Sequence, residues 1–334
     1  MDLENVTSRP VPSVGRHSRG DTARLRSAML LVLLLLLLLL ALSPPPIWAA
    51  SQGKTLTRQP LNIYVSVDME GVAGVVSGDQ LNPPGFEYER FRGFMTDEAL
   101  AAVRAAVDAG ATEVVVSDSH GNGENLLVER FPKDVKLVRS FPRRGAMMAG
   151  LDASFAAVVF IGYHASTTNS TGVRAHTISS AHFTRLALNG VAVTEAEFNA
   201  AYAGDLGVPV VFVSGDDAAI QEINGRLGPL EAVVTKKSLG FEAAETLTPS
   251  AACEAIYQGV RSAIGHRDQR KPLQITHPIT VELSFKNYRA AEVLTYLRAI
   301  ARVDAHSVRF VGQDMQEVSD FVDFADFYTP DLTP

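Results

Sequence analysis

Apolar residues along this chain recur in two rhythms. Short continuous runs rich in β-branched residues read as strands buried on both faces, and longer stretches with an apolar position every three or four residues read as amphipathic helices. The strands predicted in the first part of the chain cover residues 61–67, 112–117, 135–139, 155–161 and 208–213. A helix is predicted over 96–109, where Thr96 has the place of an N-cap, Asp97 and Glu98 occupy the first turn and Gly110 stops it. Short helices are expected at 124–131 and 145–151, another over 194–203 behind Thr194, and one after Gly215-Asp216-Asp217. Residues 186–193 read as a hairpin turned at Asn189-Gly190, the pair favoured in type I′ turns. Strand and helix alternate, which predicts an α/β fold, a mostly parallel sheet flanked by helices. Beyond 235 the pattern coarsens, with helices at 249–264, 290–301 and 315–327 and strands at 279–285 and 307–311. The expected division is therefore an α/β domain over 51–235 and a smaller C-terminal α+β portion over 236–334.

The first fifty residues follow another pattern. Arg16, Arg19, Arg24 and Arg26 precede a leucine-dominated run over 28–42, then Pro44-Pro45-Pro46 and the small residues Ala49 and Ala50. A basic region, a short apolar core and small terminal residues describe a secretory signal, with cleavage expected after Ala49 or Ala50. The run is shorter than the roughly 20 residues of a transmembrane helix. An uncleaved signal anchor is the alternative, and would be the chain's membrane contact. On either reading the protein is expected outside the cytoplasm, periplasmic or extracellular. Without this Arg-rich segment the body is more acidic than the whole-chain net charge of −7, which argues against a nucleic-acid partner. A lone cysteine, Cys253, excludes an intrachain disulfide and a Cys-rich zinc site.

Candidate chemistry gathers where predicted strands end. Asp68 and Glu70 follow the first strand, His120 the second and His164 the fourth. In a parallel sheet these ends share one edge, the edge where ligands bind in open α/β folds. Taken singly, each has an ordinary explanation: a solvated acid pair, a turn-capping His, a satisfied loop His. Asp118 either caps a turn or orients an imidazole. Together they suit zinc or another divalent first-row metal. Two carboxylates and two imidazoles exceed the needs of one catalytic zinc with an open position, which suggests two metals sharing a bridging carboxylate. A long polar loop over 165–181 holds His176, with His182 just beyond. Loops of that length are often functional. The Gly121-Asn122-Gly123 run lacks the third glycine of a dinucleotide fingerprint, since Leu126 stands there.

The pieces Ser66-Val67-Asp68-Met69-Glu70-Gly71, Asp118-Ser119-His120, Gly162-Tyr163-His164, Gly172-Val173 with His176, and Glu195 with Asn199-Ala200 resemble metallopeptidase family M55, the DppA-type D-aminopeptidases. The resemblance runs from about Leu61 to the C-terminus. It implies two zinc ions per subunit, with Asp68 bridging, Glu70 and His164 on one metal, and His120 and Glu195 on the other. It gives His176 the catalytic role. It implies substrates that are short peptides with a free N-terminal D-amino acid, such as D-Ala-D-Ala, and assembly into a ring homo-oligomer, a decamer being the expected size. An exported member would meet peptidoglycan-derived peptides. Thr194 stands where the family has glycine, and the loop between His164 and His176 is slightly expanded. The expected mechanism is metal-assisted amide hydrolysis by an activated water. Two alternatives use the same residues differently: a dinuclear metal phosphoesterase, and a non-catalytic secreted α/β binding protein.

Overall fold

The computed structural model describes residues 21–41 and 60–328. The chain divides into two compact units at Arg58/Gln59. In the first, the described part is one helix, α1 (Asp21–Ala41), which contains residues 28–41 of the leucine run. Among the described residues no helix is long and apolar enough to cross a membrane. The expected cleavage region lies outside the described residues.

The second unit is built on two sheets. Sheet 1 has the strand order β3-β2-β1-β4-β7-β8-β9, formed by β1 (Asn62–Val67), β2 (Glu113–Asp118), β3 (Val135–Val138), β4 (Phe155–Tyr163), β7 (Val210–Asp216), β8 (Glu231–Gly240) and β9 (Ala243–Thr246). All its pairings are parallel except β8 with β9. Both faces of β1 are covered. Ile63, Val65 and Val67 pack with α3 (Tyr88–Asp108) and α6 (Pro249–Gly265), while Tyr64 faces the core shared with α4 (Glu195–Asp205) and the second sheet. That double burial is why β1 reads as a continuous apolar run instead of an alternating one. The chain leaves β1 toward β2 and β3, then returns to β4 on the other side. The strand order therefore reverses between β1 and β4, and a crevice opens at their C-terminal ends.

Sheet 2 is antiparallel, in the order β11-β12-β10-β5-β6. It joins the hairpin β5 (Phe183–Leu188) and β6 (Val191–Ala192) to β10 (Ile279–Phe285), β11 (Ile300–Arg302) and β12 (Ser307–Gly312). Asn189 and Gly190 both have positive φ, 49° and 84°, as a type I′ turn requires. The short α2 (Gly78–Leu81) precedes α3, α5 (Asp217–Leu227) follows β7, and α8 (Met315–Phe327) packs on β10 and β12 and reaches α4.

The mostly parallel, helix-flanked sheet matches the expected α/β class. The division at 235/236 does not survive: it cuts through β8, and β5–β6 from the first portion complete the sheet of the second. The helix expected over 96–109 begins at Tyr88, so Thr96 is not a cap. Its hydroxyl donates to the Arg92 carbonyl at 2.8 Å, one turn back. The single helix expected over 290–301 is α7 (Tyr288–Leu294) followed by β11, because the later residues pair with β12.

Candidate metal centre

Three neighbouring strands of sheet 1 end in the predicted residues. Asp68 and Glu70 leave β1, His120 leaves β2 and His164 leaves β4; all four are buried. Two glycines make the approach possible. A Cβ on Gly71 would lie 2.1 Å from the Tyr163 carbonyl oxygen, and one on Gly162, at φ +73°, 2.2 Å from that of Asp68. The two strand ends are pressed together over backbone that leaves no room for a side chain.

His120 Nδ1 stands 3.2 Å from Asp68 Oδ1 and 2.9 Å from Glu70 Oε2. His164 Nε2 is 3.2 Å from Asp68 Oδ2 and 3.4 Å from Glu195 Oε1. Glu195 is the first residue of α4, and Thr194 before it is the N-cap: its hydroxyl accepts from Glu197 N at 3.0 Å, with φ −75°. A non-glycine residue fits there without strain. The loop between β4 and β5 folds back on the site. Ile178 N donates to Glu195 Oε1 at 2.6 Å, and the His176 ring stacks on His164 with centroids 4.1 Å apart. His176 Nε2 lies 3.7 Å from Glu195 Oε1. The structure thus brings together all six residues singled out in the sequence: Asp68, Glu70, His120, His164, His176 and Glu195. His182 does not join them; it pairs with Asp326 of α8 at 2.6 Å on the rim.

Each of the three clustered histidines spends one ring nitrogen on a backbone carbonyl. His120 Nε2–H donates to Leu81, His164 Nδ1–H to Ala165 and His176 Nδ1–H to Arg174, at 2.9, 3.0 and 2.9 Å. The other nitrogen of each then faces the acids, the arrangement by which metal-ligating imidazoles are oriented. Asp118 does not orient an imidazole. It accepts from the backbone N–H groups of Asn125 and Leu126, and Asn125 in turn donates to the His120 carbonyl at 2.6 Å. A second support was not anticipated from the sequence: Ser66, Ser119, Tyr163 and Asn199 form a buried hydroxyl and amide chain behind the strand ends. Ser66, a polar residue inside an apolar strand, was its one visible trace.

The electrostatics are those of a cation site. Burial and then the neighbouring Glu70 push the Asp68 carboxyl up. Burial would also raise Glu70, but His120 holds it well below the usual range. Burial opposes charge on His120 and His164, yet the facing acids, Glu70 and Glu195 foremost, raise both well above an ordinary histidine. Asp68 Oδ2 and His164 Nε2 face each other and make no hydrogen bond. Buried polar atoms are rarely left so, and a divalent ion between carboxylate and imidazole would satisfy both.

Two groups have ligand atoms all within 4.8 Å of one another: Asp68 with Glu70 and His164, and His164 with His176 and Glu195. The first is one of the two ligand sets implied by the resemblance. For the other, Asp68 does reach His120, but Glu195 groups with His164 and His176. Asp68 turns its two oxygens to different histidines, as a bridging carboxylate would. Asp68, Glu70, His120, His176 and Glu195 line a cavity of about 340 Å³ that extends to Phe141 and to Asp323, Asp326 and Phe327 of α8.

Comparison with known proteins agrees over the same span. The peptidase M55 family model, described as D-aminopeptidase, matches residues 61–324. D-aminopeptidase of Bacillus subtilis (strain 168) is 31% identical over 260 residues, covering 77% of this chain and 93% of that protein. The solved structure of the Zn-dependent D-aminopeptidase DppA from Bacillus subtilis, described as a self-compartmentalizing protease, superposes with a TM-score of 0.76 at 29% identity. It covers 80% of this chain and 99% of that one.

Proposed function

The chain belongs to the M55 family of D-aminopeptidases, and on that premise we propose that it hydrolyses short peptides with a free N-terminal D-amino acid, D-Ala-D-Ala among them, at a dinuclear zinc centre. The observation that carries this reading is the buried pair Asp68 Oδ2 and His164 Nε2, 3.2 Å apart without a hydrogen bond, at the junction of three strand ends. The donor set of carboxylate and imidazole suits zinc. Asp68, Glu70, His120, His164 and Glu195 would hold the metals. When bound, zinc supplies Lewis acidity, polarising a carbonyl oxygen and acidifying a water.

The chain's own residues do the rest. His176 Nδ1 is fixed on the Arg174 carbonyl, so Nε2 is the nitrogen that can hold or give a proton on the cavity side. There it stabilises the developing oxyanion or protonates the leaving amine. Glu195, held by Ile178 N–H, keeps its carboxylate between His164 and His176. A cavity of this size takes a short peptide and excludes a folded protein.

The leucine-rich N-terminal segment supports export, where peptidoglycan-derived peptides are the available substrates. The relative described as self-compartmentalizing supports a ring homo-oligomer.

The test compares D-Ala-D-Ala, L-Ala-L-Ala, N-acetyl-D-Ala-D-Ala and p-nitrophenyl phosphate as substrates of the purified protein. The first alone should be cleaved, with activity removed by a chelator and restored by zinc. Phosphate-ester turnover without peptide cleavage would assign the site to phosphoesterases. Peptide binding with neither metal nor cleavage would assign it to a binding protein.

A further inference from the structure

A second charged group, on β8, grips the loop that carries two of the proposed ligands. Lys236 is 2% exposed, and its ammonium points into backbone, not into the cavity. Its Nζ donates to the carbonyls of Glu70, Val72 and Val75, the last two at 2.8 and 2.7 Å. A lysine ammonium has three donors, and all three go to residues 70–75. The preceding residue adds a fourth tie, since Thr235 Oγ1 donates to the Gly71 carbonyl at 2.6 Å. Four carbonyls of the loop after β1 thus turn toward β8. On the opposite side Asp68 N and Gly71 N donate to the carbonyls of Ile161 and Gly162 at 2.8 and 2.7 Å, which ties the loop to β4. From α3, Glu98 Oε1 accepts from Ala73 N at 2.9 Å.

A buried cation ringed by carbonyls is expensive to maintain. Burial pushes the ammonium down to about 8, while Asp216, Glu98, Glu70 and Asp68 draw it up. Simple fastening of a loop would not require a charge. What distinguishes this loop is that Asp68 and Glu70 lie on it, and that one of the tethered carbonyls belongs to Glu70 itself.

We infer that Lys236 is a positioning residue for the metal centre: its ammonium, bound to three carbonyls of the 70–75 loop, fixes the backbone from which Asp68 and Glu70 present their carboxylates. The inference rests on the zinc reading of the site. It assigns Lys236 no contact with metal or substrate. Its effect lies in how tightly metal is held and how the ligands are aimed.

The experiment measures zinc affinity by competition with a chromophoric chelator in wild type, Lys236→Met and Thr235→Val. Melting of the zinc-free and zinc-loaded forms, and kcat and KM, are measured beside it. Replacing residues that orient metal ligands weakens metal binding roughly 10- to 100-fold. Lys236→Met is expected in that range, with kcat reduced more than KM is raised and with a correspondingly smaller zinc-dependent melting shift. Thr235→Val is expected to move the same way by a smaller factor. A folded Lys236→Met with wild-type zinc affinity and kcat overturns the inference. If Lys236→Met does not fold, Thr235→Val decides, and unchanged zinc affinity there overturns it. Wild type that takes up no zinc overturns the metal reading itself, and this inference falls with it, whereas normal zinc uptake with indifferent variants removes only the role of Lys236.

Discussion

Sheets 1 and 2 differ in how they are buried, and the difference locates the function. In sheet 1, β7 is buried from Val210 to Asp216 and β1 from Ile63 to Val67, with helices or the second sheet over each face. In sheet 2, β10 alternates buried and half-buried positions from Ile279 to Phe285. Charges follow the same split. Those at the ends of β1, β2 and β4 are buried and face one another, whereas Glu282 on β10 meets Arg309 and Arg185 at the surface. A strand covered on both faces is a rigid mount, and acids placed at its end cannot be relieved by water. They need a cation. Sheet 2 serves as cover, bringing α8 over the cavity.

That contrast breaks most visibly at Asp68. Asp68→Ala is expected to lower peptide hydrolysis about 10³-fold or more, because the carboxylate that faces both His120 and His164 is gone; steady-state assays with saturating zinc check it. His176→Ala should reduce kcat about 10²- to 10⁴-fold, as loss of a proton-handling group does, while zinc content measured by elemental analysis stays at the wild-type level. Unchanged turnover would remove the role given to Nε2.

A third effect is on stability. Burial raises Glu98, on the α3 side of sheet 1, from 4.5 to about 7. Its folded value exceeds its unfolded one, so its contribution is fully present below pH 4.5 and is lost as pH rises through about 7. The loss is on the order of 3 kcal/mol. Glu98→Gln should flatten the fall in melting temperature of the zinc-free protein across that window; an unchanged slope would contradict it. Least of all, Glu282→Gln on sheet 2 should cost under about 1 kcal/mol and leave hydrolysis untouched, since ion pairs whose arginines reach solvent contribute little.

Much of sheet 1 and its site was legible in the sequence because the signals are local. A β-branched run that stops at Asp-Met-Glu-Gly marks both strand and ligand edge, and the interleaved helices imply parallel order. The expectation for α8 met its observed bounds because Asp314 caps a clean amphipathic repeat. Sheet 2 was harder. Its strands come from two distant stretches, and pairing between residues so far apart leaves no periodic trace; hence the misplaced boundary at 235/236 and the helix drawn through β11. Thr96 failed as a cap because threonine followed by acids looks alike at a helix start and in a helix interior. Lys236 could not be recognised at all. A lysine in a strand reads as solvent-facing, and only the three carbonyls converging on it reveal otherwise.

Two zinc ions held at the ends of β1, β2 and β4 would be directly countable. The most direct measurement is zinc per chain in the purified protein, by elemental analysis after removal of loosely bound metal, with Asp68→Ala beside it. Close to two are expected in wild type, with a large loss in the variant, both chains remaining folded. Well-folded wild type that binds no zinc, or Asp68→Ala that keeps the full complement, would contradict it.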